Sequence, residues 1–237
     1  MPFKARYLVG AIALLLLVAV APVVFVSLHA HNSGAIETDE EIVTLTFDDG
    51  PSPSSTLELL DLLDELKVPA TFFITGSHAE DYPEIVAEAH SRGYQVANHG
   101  WNHKPLIHWG MKVPSEEVER TNLLIKRITG ESSSLFRPPF LVGGLGLMRT
   151  LSARDIQIVG ANASGLDWEE KDPTVIAQTV VSGVTPGSVI LLHDGDGSTQ
   201  ESGRQASRQP TIEATKLLVN ALRSQGYRFV PLSDLLD

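Results

Sequence analysis

The chain has 237 residues, of which 43% are hydrophobic and 20% are charged, with a net charge of −11 and no cysteine. Its length is enough for one sizeable domain with its own core. The acidic balance argues against nucleic acid as a partner, because an acidic surface repels phosphate. The lack of cysteine excludes disulfides, thiol nucleophiles and cysteine zinc sites.

The N-terminal segment contains an uncharged run from Leu8 to Leu28, preceded by Lys4 and Arg6. This run reaches the roughly 20 residues that a helix needs to span a bilayer and exceeds the about 7–15 of a signal-peptide core. No further Lys or Arg occurs before Lys67, so the charge asymmetry places the rest of the chain outside the cytoplasm. We expect a retained membrane anchor, with a cleaved signal peptide as the alternative. Both interpretations export the domain.

Strand-like and helix-like segments alternate from residue 42 onward, after a polar and acidic stretch at 29–41 that we interpret as a linker. The domain therefore comprises residues 42–237. Apolar and β-branched runs predict strands at 42–45, 70–75, 94–98, 134–137, 156–161, 188–193 and 227–230. Amphipathic spacing and capping residues predict helices from Ser54 to about 67, at 83–92, from Ser115 to Gly130 and at 211–225. Glu116 and Glu117 would then lie in a first helical turn, where acidic side chains are favourable.

About seven β-α units of this kind indicate an α/β fold with a parallel sheet and helices outside it. The sheet could be open and doubly wound or closed as a barrel. In both architectures the active site lies at the carboxyl ends of the strands. Charged or titratable side chains stand at five of these ends, namely Asp48 with Asp49, His99, Arg137, Asp167 and His193.

Asp48 and Asp49 follow the first strand and precede Gly50 and Pro51. Two adjacent carboxylates in a partly buried place repel each other, so a cation or a shared proton must compensate them. An Arg or a metal ion would meet this need. The alternative is an ordinary strand-to-helix turn, since Asp-Gly-Pro is common turn chemistry.

His99 and His103 are four residues apart, a spacing that places both imidazoles on one side of a helical or tightly turned segment. Together with Asp49 they would form a site of two histidines and one carboxylate. Such a site suits Zn²⁺ for hydrolysis or Fe²⁺ for oxygenation. The additional Asp, Arg and His at the strand ends favour hydrolysis, because they form an acid/base set that an oxygenase does not need.

Five motifs resemble, in the same order, those of the polysaccharide deacetylases, carbohydrate esterase family four. They are Thr46–Pro51 (TFDDGP), His99–His103 (HGWNH), Arg137–Phe140 (RPPF), Asp167–Trp168 and Leu191–His193 (LLH). The resemblance covers residues 42 to 236 and implies a distorted (β/α) barrel. It also implies removal of N-acetyl groups from a cell-envelope or extracellular glycan, peptidoglycan or another N-acetylglucosamine polymer. An O-acetyl esterase of the xylan type and a catalytically silent glycan-binding protein are the alternatives.

The resemblance assigns the metal and the base. Asp49, His99 and His103 would hold one divalent ion, most often zinc, with cobalt, manganese or nickel as alternatives. Asp48 would be the general base that takes a proton from metal-bound water. Arg137 would orient Asp48 and hold it in place.

The resemblance also assigns the acid and the substrate side of the site. His193 would protonate the leaving amine, and Asp167 would orient it and favour its charged form. The backbone N–H of Phe140 would stabilise the oxyanion. Trp168 and Leu191 would line the substrate pocket.

Two positions depart from the family pattern. Gly100 stands after His99 where Ser or Thr is usual, so the loop lacks one side-chain hydrogen bond. The third motif ends in Phe140-Leu141 rather than Tyr-Gly, and the missing glycine leaves the loop conformation open.

The remaining polar residues carry no motif. We expect His78 to be a surface or loop residue, because it lacks a partner at a useful spacing. The segment 194–209 is rich in Gly, Ser, Gln and Arg and predicts a flexible loop over the cleft, with Arg208 exposed.

Overall fold

The computed structural model describes residues 36–108, 110–197 and 207–236. The predicted anchor from Leu8 to Leu28 and most of the predicted linker lie outside these residues. Within the described part, no helix is both long enough and apolar enough to cross a bilayer. The anchor therefore stays a prediction.

The described residues form one parallel sheet of eight short strands. The strands are β1 (Ile42–Asp48), β2 (Ala70–Ile74), β3 (Gln95–Asn98), β4 (Leu135–Phe136), β5 (Gln157–Ile158), β6 (Ala163–Ser164), β7 (Ser188–His193) and β8 (Arg228–Phe229). Seven of them follow the order β5-β4-β3-β2-β1-β7-β6, and β8 pairs with the start of β1. No hydrogen-bonded pairing joins β5 to β6 in the described part of the chain. The sheet curls into a half-barrel, which agrees with the distorted (β/α) barrel that the resemblance implies, but the barrel is not closed between β5 and β6 in the described residues.

Helices cover the outer face of the sheet. They are α1 (Thr56–Leu66), α2 (Gly76–Asp81), α3 (Pro83–Ser91), α4 (Lys112–Thr129), α5 (Leu145–Ser152), α6 (Pro173–Gly183), α7 (Gln209–Ser224) and α8 (Leu232–Leu236). The sequence predicted α1, α3, α4 and α7 and missed the other four, as well as β6. The sequence does not predict α6 because the run of Thr, Val and Ile residues in this segment is typical of a strand.

Two predicted helix starts are wrong. The residue before α1 is Ser55 rather than Ser54, and its side chain makes no capping hydrogen bond. The fourth helix begins at Lys112, three residues before the predicted cap Ser115. Pro114 fits there because the first turn of a helix has no partner for a backbone N–H.

The strand β1 is buried on both faces, which places it at the centre of the fold. Its odd-numbered residues Val43, Leu45 and Phe47 pack in the main core between the sheet and the helices. Its even-numbered residues point to the barrel interior, since successive side chains alternate along a strand. On that face Thr46 donates a hydrogen bond to the Ile190 carbonyl at 2.6 Å, and Asp48 ends the row. A core strand thus delivers a carboxylate to the open end of the barrel.

The helix α7 offers a matched test of this core, because Leu218 is 0% exposed and its neighbour Leu217 is 44% exposed. Leu218→Ala should lower the free energy of unfolding by about 2–5 kcal/mol, since it leaves a cavity in the main core. Leu217→Ala should change it by less than about 0.5 kcal/mol. Urea unfolding followed by circular dichroism measures both. Equal effects of the two substitutions would contradict the packing described here.

Candidate active site

The carboxyl ends of the strands surround one cleft of about 440 Å³. Eight of the ten predicted site residues line it, namely Asp48, Asp49, His99, His103, Phe140, Trp168, Leu191 and His193. The other two, Arg137 and Asp167, are buried directly behind the cleft wall. The structure therefore brings all ten predicted positions together.

Asp49, His99 and His103 form a group that could hold a metal ion, with one ligand atom from each lying within 4.8 Å of the others. The Nε2 atoms of His99 and His103 lie 3.3 and 3.1 Å from Oδ1 of Asp49. This oxygen is buried and makes no hydrogen bond within the described residues. A bare carboxylate oxygen facing two imidazole nitrogens fits a divalent cation such as zinc.

The protonation of these groups also suits a cation. Burial by itself would raise the pKa of the Asp49 carboxyl, but His99 and the charges of His193 and His103 hold it below its usual value. The Nδ1 atom of His99 lies 2.8 Å from the Arg137 carbonyl oxygen. A carbonyl only accepts, so Nδ1 carries a proton, and Nε2 is the nitrogen that faces Asp49 and could bind a cation.

The backbone of Asp49 is held in a left-handed conformation, with φ of 77°. Such a conformation is strained for a residue with a side chain and persists only where its surroundings enforce it. The Asp49 N–H donates to the Phe73 carbonyl at 3.2 Å, and the Asp49 carbonyl accepts from Nδ1 of His78 at 2.8 Å. His78 is buried, so the expectation that it lies at the surface is wrong. It belongs to α2, a helix that the sequence did not predict.

Asp48 forms a buried ion pair with Arg137. Nη1 of Arg137 lies 2.6 Å from Oδ1 of Asp48 and 2.8 Å from Oγ1 of Thr46. Nη2 donates to the Gly160 carbonyl at 2.9 Å, and the guanidinium lies over the Phe73 ring. The second carboxylate oxygen of Asp48, Oδ2, faces the ligand group and lies 3.6 Å from Nε2 of His99. One oxygen is thus engaged by Arg137, and the other is available to the cleft.

His193 and Asp167 form a second pair across the cleft floor. Oδ1 of Asp167 lies 2.8 Å from Nδ1 of His193, and Oδ2 accepts from the His193 N–H at 2.9 Å and from Oγ1 of Thr211 at 2.8 Å. Burial lowers the pKa of His193, but the charge of Asp167, its hydrogen bond and the carboxylates of Asp49 and Asp48 raise it to about 9. The imidazole is therefore held in its protonated form at neutral pH.

Sequence reasoning did not assign Arg208 or Asp194 to the site or its surroundings. Arg208 is buried and lines the cleft, with Nε donating to the Gly195 carbonyl at 2.6 Å and Nη1 to the Asp167 carbonyl at 3.3 Å. The expectation that it is exposed is wrong. Asp194 accepts from Thr56 Oγ1 at 2.6 Å and from the Gly50 N–H at 3.1 Å, and burial raises its pKa to about 7. Its position directly after a buried strand was the available signal.

Aromatic side chains form the rim of the cleft. Phe140 is 61% exposed, and its ring lies 4.5 Å from the ring of His103. Trp168 is 43% exposed, and its ring meets His193 edge to face at 5.3 Å. The sequence did not determine the conformation of the loop at Phe140 and Leu141. In the structure both residues adopt left-handed conformations, with φ of 58° and 55°.

Comparison with known proteins agrees with this fold. A family model described as polysaccharide deacetylase matches residues 35–152. A chitooligosaccharide deacetylase of Sinorhizobium fredii is 35% identical over 187 residues, which cover 78% of this chain and 87% of that protein.

Solved structures show the same similarity. A peptidoglycan N-acetylglucosamine deacetylase in complex with 4-naphthalen-1-yl-N-oxidanyl-benzamide superposes with a TM-score of 0.78 at 28% identity, covering 85% of this chain and 90% of that one. A family 4 acetyl xylan esterase from Clostridium thermocellum, in complex with a cobalt ion, has a TM-score of 0.71 at 31% identity and covers 82% and 89%. The chain therefore belongs to the polysaccharide deacetylase family, and it is a hydrolase of that family.

Proposed function

We propose that this enzyme removes N-acetyl groups from a cell-envelope or extracellular glycan, peptidoglycan or another N-acetylglucosamine polymer. The observation that carries the proposal is a candidate base at the end of β1 and a candidate acid at the end of the neighbouring strand β7, both beside one group of possible metal ligands. His99 and Arg137 come from β3 and β4 on one side, and Asp167 and His193 come from β6 and β7 on the other. The chitooligosaccharide and peptidoglycan deacetylases named above support the substrate class.

In this proposal Asp49, His99 and His103 hold one divalent ion, with zinc as the first choice for two imidazoles and a carboxylate. When bound, the ion supplies Lewis-acid polarisation of the attacking water and of the acetyl carbonyl. The cobalt ion in the related acetyl xylan esterase supports a site of this kind.

The chain's own residues handle the protons. Oδ2 of Asp48 accepts a proton from the attacking water, while Arg137 engages Oδ1 and fixes the orientation of the carboxylate. Nε2 of His193 then donates a proton to the leaving nitrogen, because Nδ1 is held by Asp167. The backbone N–H of Phe140 stabilises the negative charge that develops on the acetyl oxygen. Trp168 and Leu191 contact the sugar and its acetyl group.

The acid favours N-acetyl over O-acetyl substrates. The nitrogen of an N-acetyl group must be protonated before it can leave as an amine. An alkoxide is a better leaving group than an unprotonated nitrogen, so an O-acetyl substrate depends less on an acid. His193, with its pKa raised to about 9, keeps the required proton over the physiological range. O-acetyl hydrolysis remains the second candidate, because the acetyl xylan esterase is a relative of comparable identity. We further propose that the domain works outside the cytoplasm, tethered by the segment from Leu8 to Leu28.

Acetate release by the purified full chain tests the proposal. Chitooligosaccharides and peptidoglycan fragments should release acetate, chelation should stop the release, and added Zn²⁺ should restore it. Asp48→Asn should keep the metal but lower kcat by about 10²–10⁴-fold, because an amide cannot take the proton from water. Acetate release from O-acetylated xylan alone would select the second candidate, and near-wild-type kcat in Asp48→Asn would refute the assigned base.

Metal content provides a separate test of the ligand group. The wild-type chain should bind Zn²⁺ stoichiometrically, and the double substitution His99→Ala/His103→Ala should abolish this binding because only one ligand remains. His90→Ala is the matched control, since His90 is exposed on α3 and should have no effect. Elemental analysis after dialysis gives the occupancy. Equal occupancy in the wild type and the double variant would show that the metal binds elsewhere.

The pH profile tests the acid. Because the raised pKa of His193 is about 9, kcat should fall as pH rises through that value and the imidazole loses its proton. Asp167→Asn removes the charge that raises this pKa, so the alkaline limb should move to lower pH by at least about one unit. Asp81→Asn, at an exposed carboxylate, should leave the limb in place. An alkaline limb that Asp167→Asn does not move would contradict the assignment of His193 as the acid.

A further inference from the structure

Glu117, on α4, points its carboxylate at the loop that joins His99 to His103. Its side chain is buried, with 7% of the residue exposed. Oε2 accepts the backbone N–H groups of Trp101 at 2.8 Å and of Asn102 at 2.9 Å, and Oε1 accepts Nδ2 of Asn102 at 3.1 Å. A single carboxylate therefore satisfies two consecutive amides of this loop, that of the buried Trp101 and that of the partly buried Asn102. Successive backbone N–H groups of this kind form a concave anion site, here filled from within the chain.

Backbone groups and a side chain of other elements hold the rest of the loop. The Gly100 N–H donates to Oδ1 of Asn98 at 2.8 Å. The carbonyls of Gly100 and Trp101 accept from the first residues of α2 at 2.9 and 3.0 Å. The Trp101 and Asn102 amides instead donate directly to a side chain of α4. Their geometry thus rests on Glu117 rather than on the sheet.

Because residue 100 is a glycine, no side chain at this position shares with Glu117 the role of holding the loop. A Cβ built on Gly100 would lie 3.7 Å from Oε2 of Glu117, so the carboxylate faces the space that a residue-100 side chain would enter. Gly100 itself has φ of 83°, and His103 has φ of 49°. The loop is therefore bent by two left-handed residues and carries no hydrogen bond from a residue-100 side chain.

We propose that Glu117 is a positioning residue for the two histidine ligands. Its carboxylate holds the Trp101 and Asn102 amides, and this sets the distance and direction from His99 to His103. The two Nε2 atoms then converge on Oδ1 of Asp49. The inference rests on the proposed metal function of these three residues, and it adds a residue that the family motifs do not contain.

Zn²⁺ affinity of the full chain, measured by competition with a chromophoric chelator, tests the role directly. Glu117→Ala should weaken Zn²⁺ binding by about 10–100-fold, the usual effect of losing a group that orients metal ligands. Glu117→Gln keeps an acceptor oxygen for the two amides and should retain most of the affinity. Glu116→Ala, at the exposed neighbour on the same helix, should leave the affinity unchanged.

Thermal unfolding of the metal-free variants separates positioning from simple stabilisation. Wild-type Zn²⁺ affinity in Glu117→Ala would overturn the proposal, even if its metal-free Tm were lower. If Glu117→Ala does not fold, the Zn²⁺ affinity of Glu117→Asp takes its place. The aspartate is one methylene too short to reach both amides, so wild-type affinity in this variant would also overturn the proposal. Failure of the wild-type chain to release acetate would refute the proposed function but would leave this affinity comparison valid.

Discussion

The buried ion pair between Arg137 and Asp48 is the interaction on which the site depends. Two adjacent carboxylates at the end of a core strand are tolerable only with positive charge beside them. Arg137 supplies it at 2.6 Å from Asp48 and binds the chain after β5 through the Gly160 carbonyl. Its own carbonyl accepts from His99. Breaking such a pair leaves an uncompensated buried charge, typically a loss of about 3–5 kcal/mol. One residue thus connects the proposed base Asp48, the candidate metal ligand His99 and the edge of the half-barrel.

The proposed acid, His193, lies on the other side of β1 from Arg137. Asp48 and His193 are register partners on neighbouring strands, so the sheet itself sets the distance between the proposed base and the proposed acid. Asp167 reaches His193 from the loop after β6, and Thr211 and Arg208 support that loop from the start of α7. Removing Asp167 should therefore alter the protonation of the acid without disturbing the pair between Arg137 and Asp48.

The sequence predicted seven of the eight described strands and placed the motif residues at strand ends, because β1 and β7 are long apolar runs with charged residues at their ends. The sequence did not predict the contacts of Glu117 and His78, because the start of α4 was placed too late and α2 was not predicted. A helix that starts at Ser115 has Glu117 in its first turn, where an acidic side chain is favourable because of the helix terminus alone. In the structure Glu117 lies in the second turn of α4 and its carboxylate contacts the loop from His99 to His103, a tertiary contact that helical spacing does not predict. His78 was missed for a similar reason, since α2 is too short to show amphipathic spacing.

Strained backbone is concentrated around the cleft. Asp49, His103, Phe140 and Leu141 all have positive φ although none is a glycine, and each contributes a wall or a ligand of the site. Such conformations are maintained by surrounding contacts and not by local preference. Here those contacts include His78 on the Asp49 carbonyl and Glu117 on the loop before His103. The five motifs carry the proposed reactive groups, but residues outside the motifs, such as His78 and Glu117, hold the backbone on which those groups stand. A chain could therefore keep every motif residue and still lose metal affinity through a change at position 78 or 117.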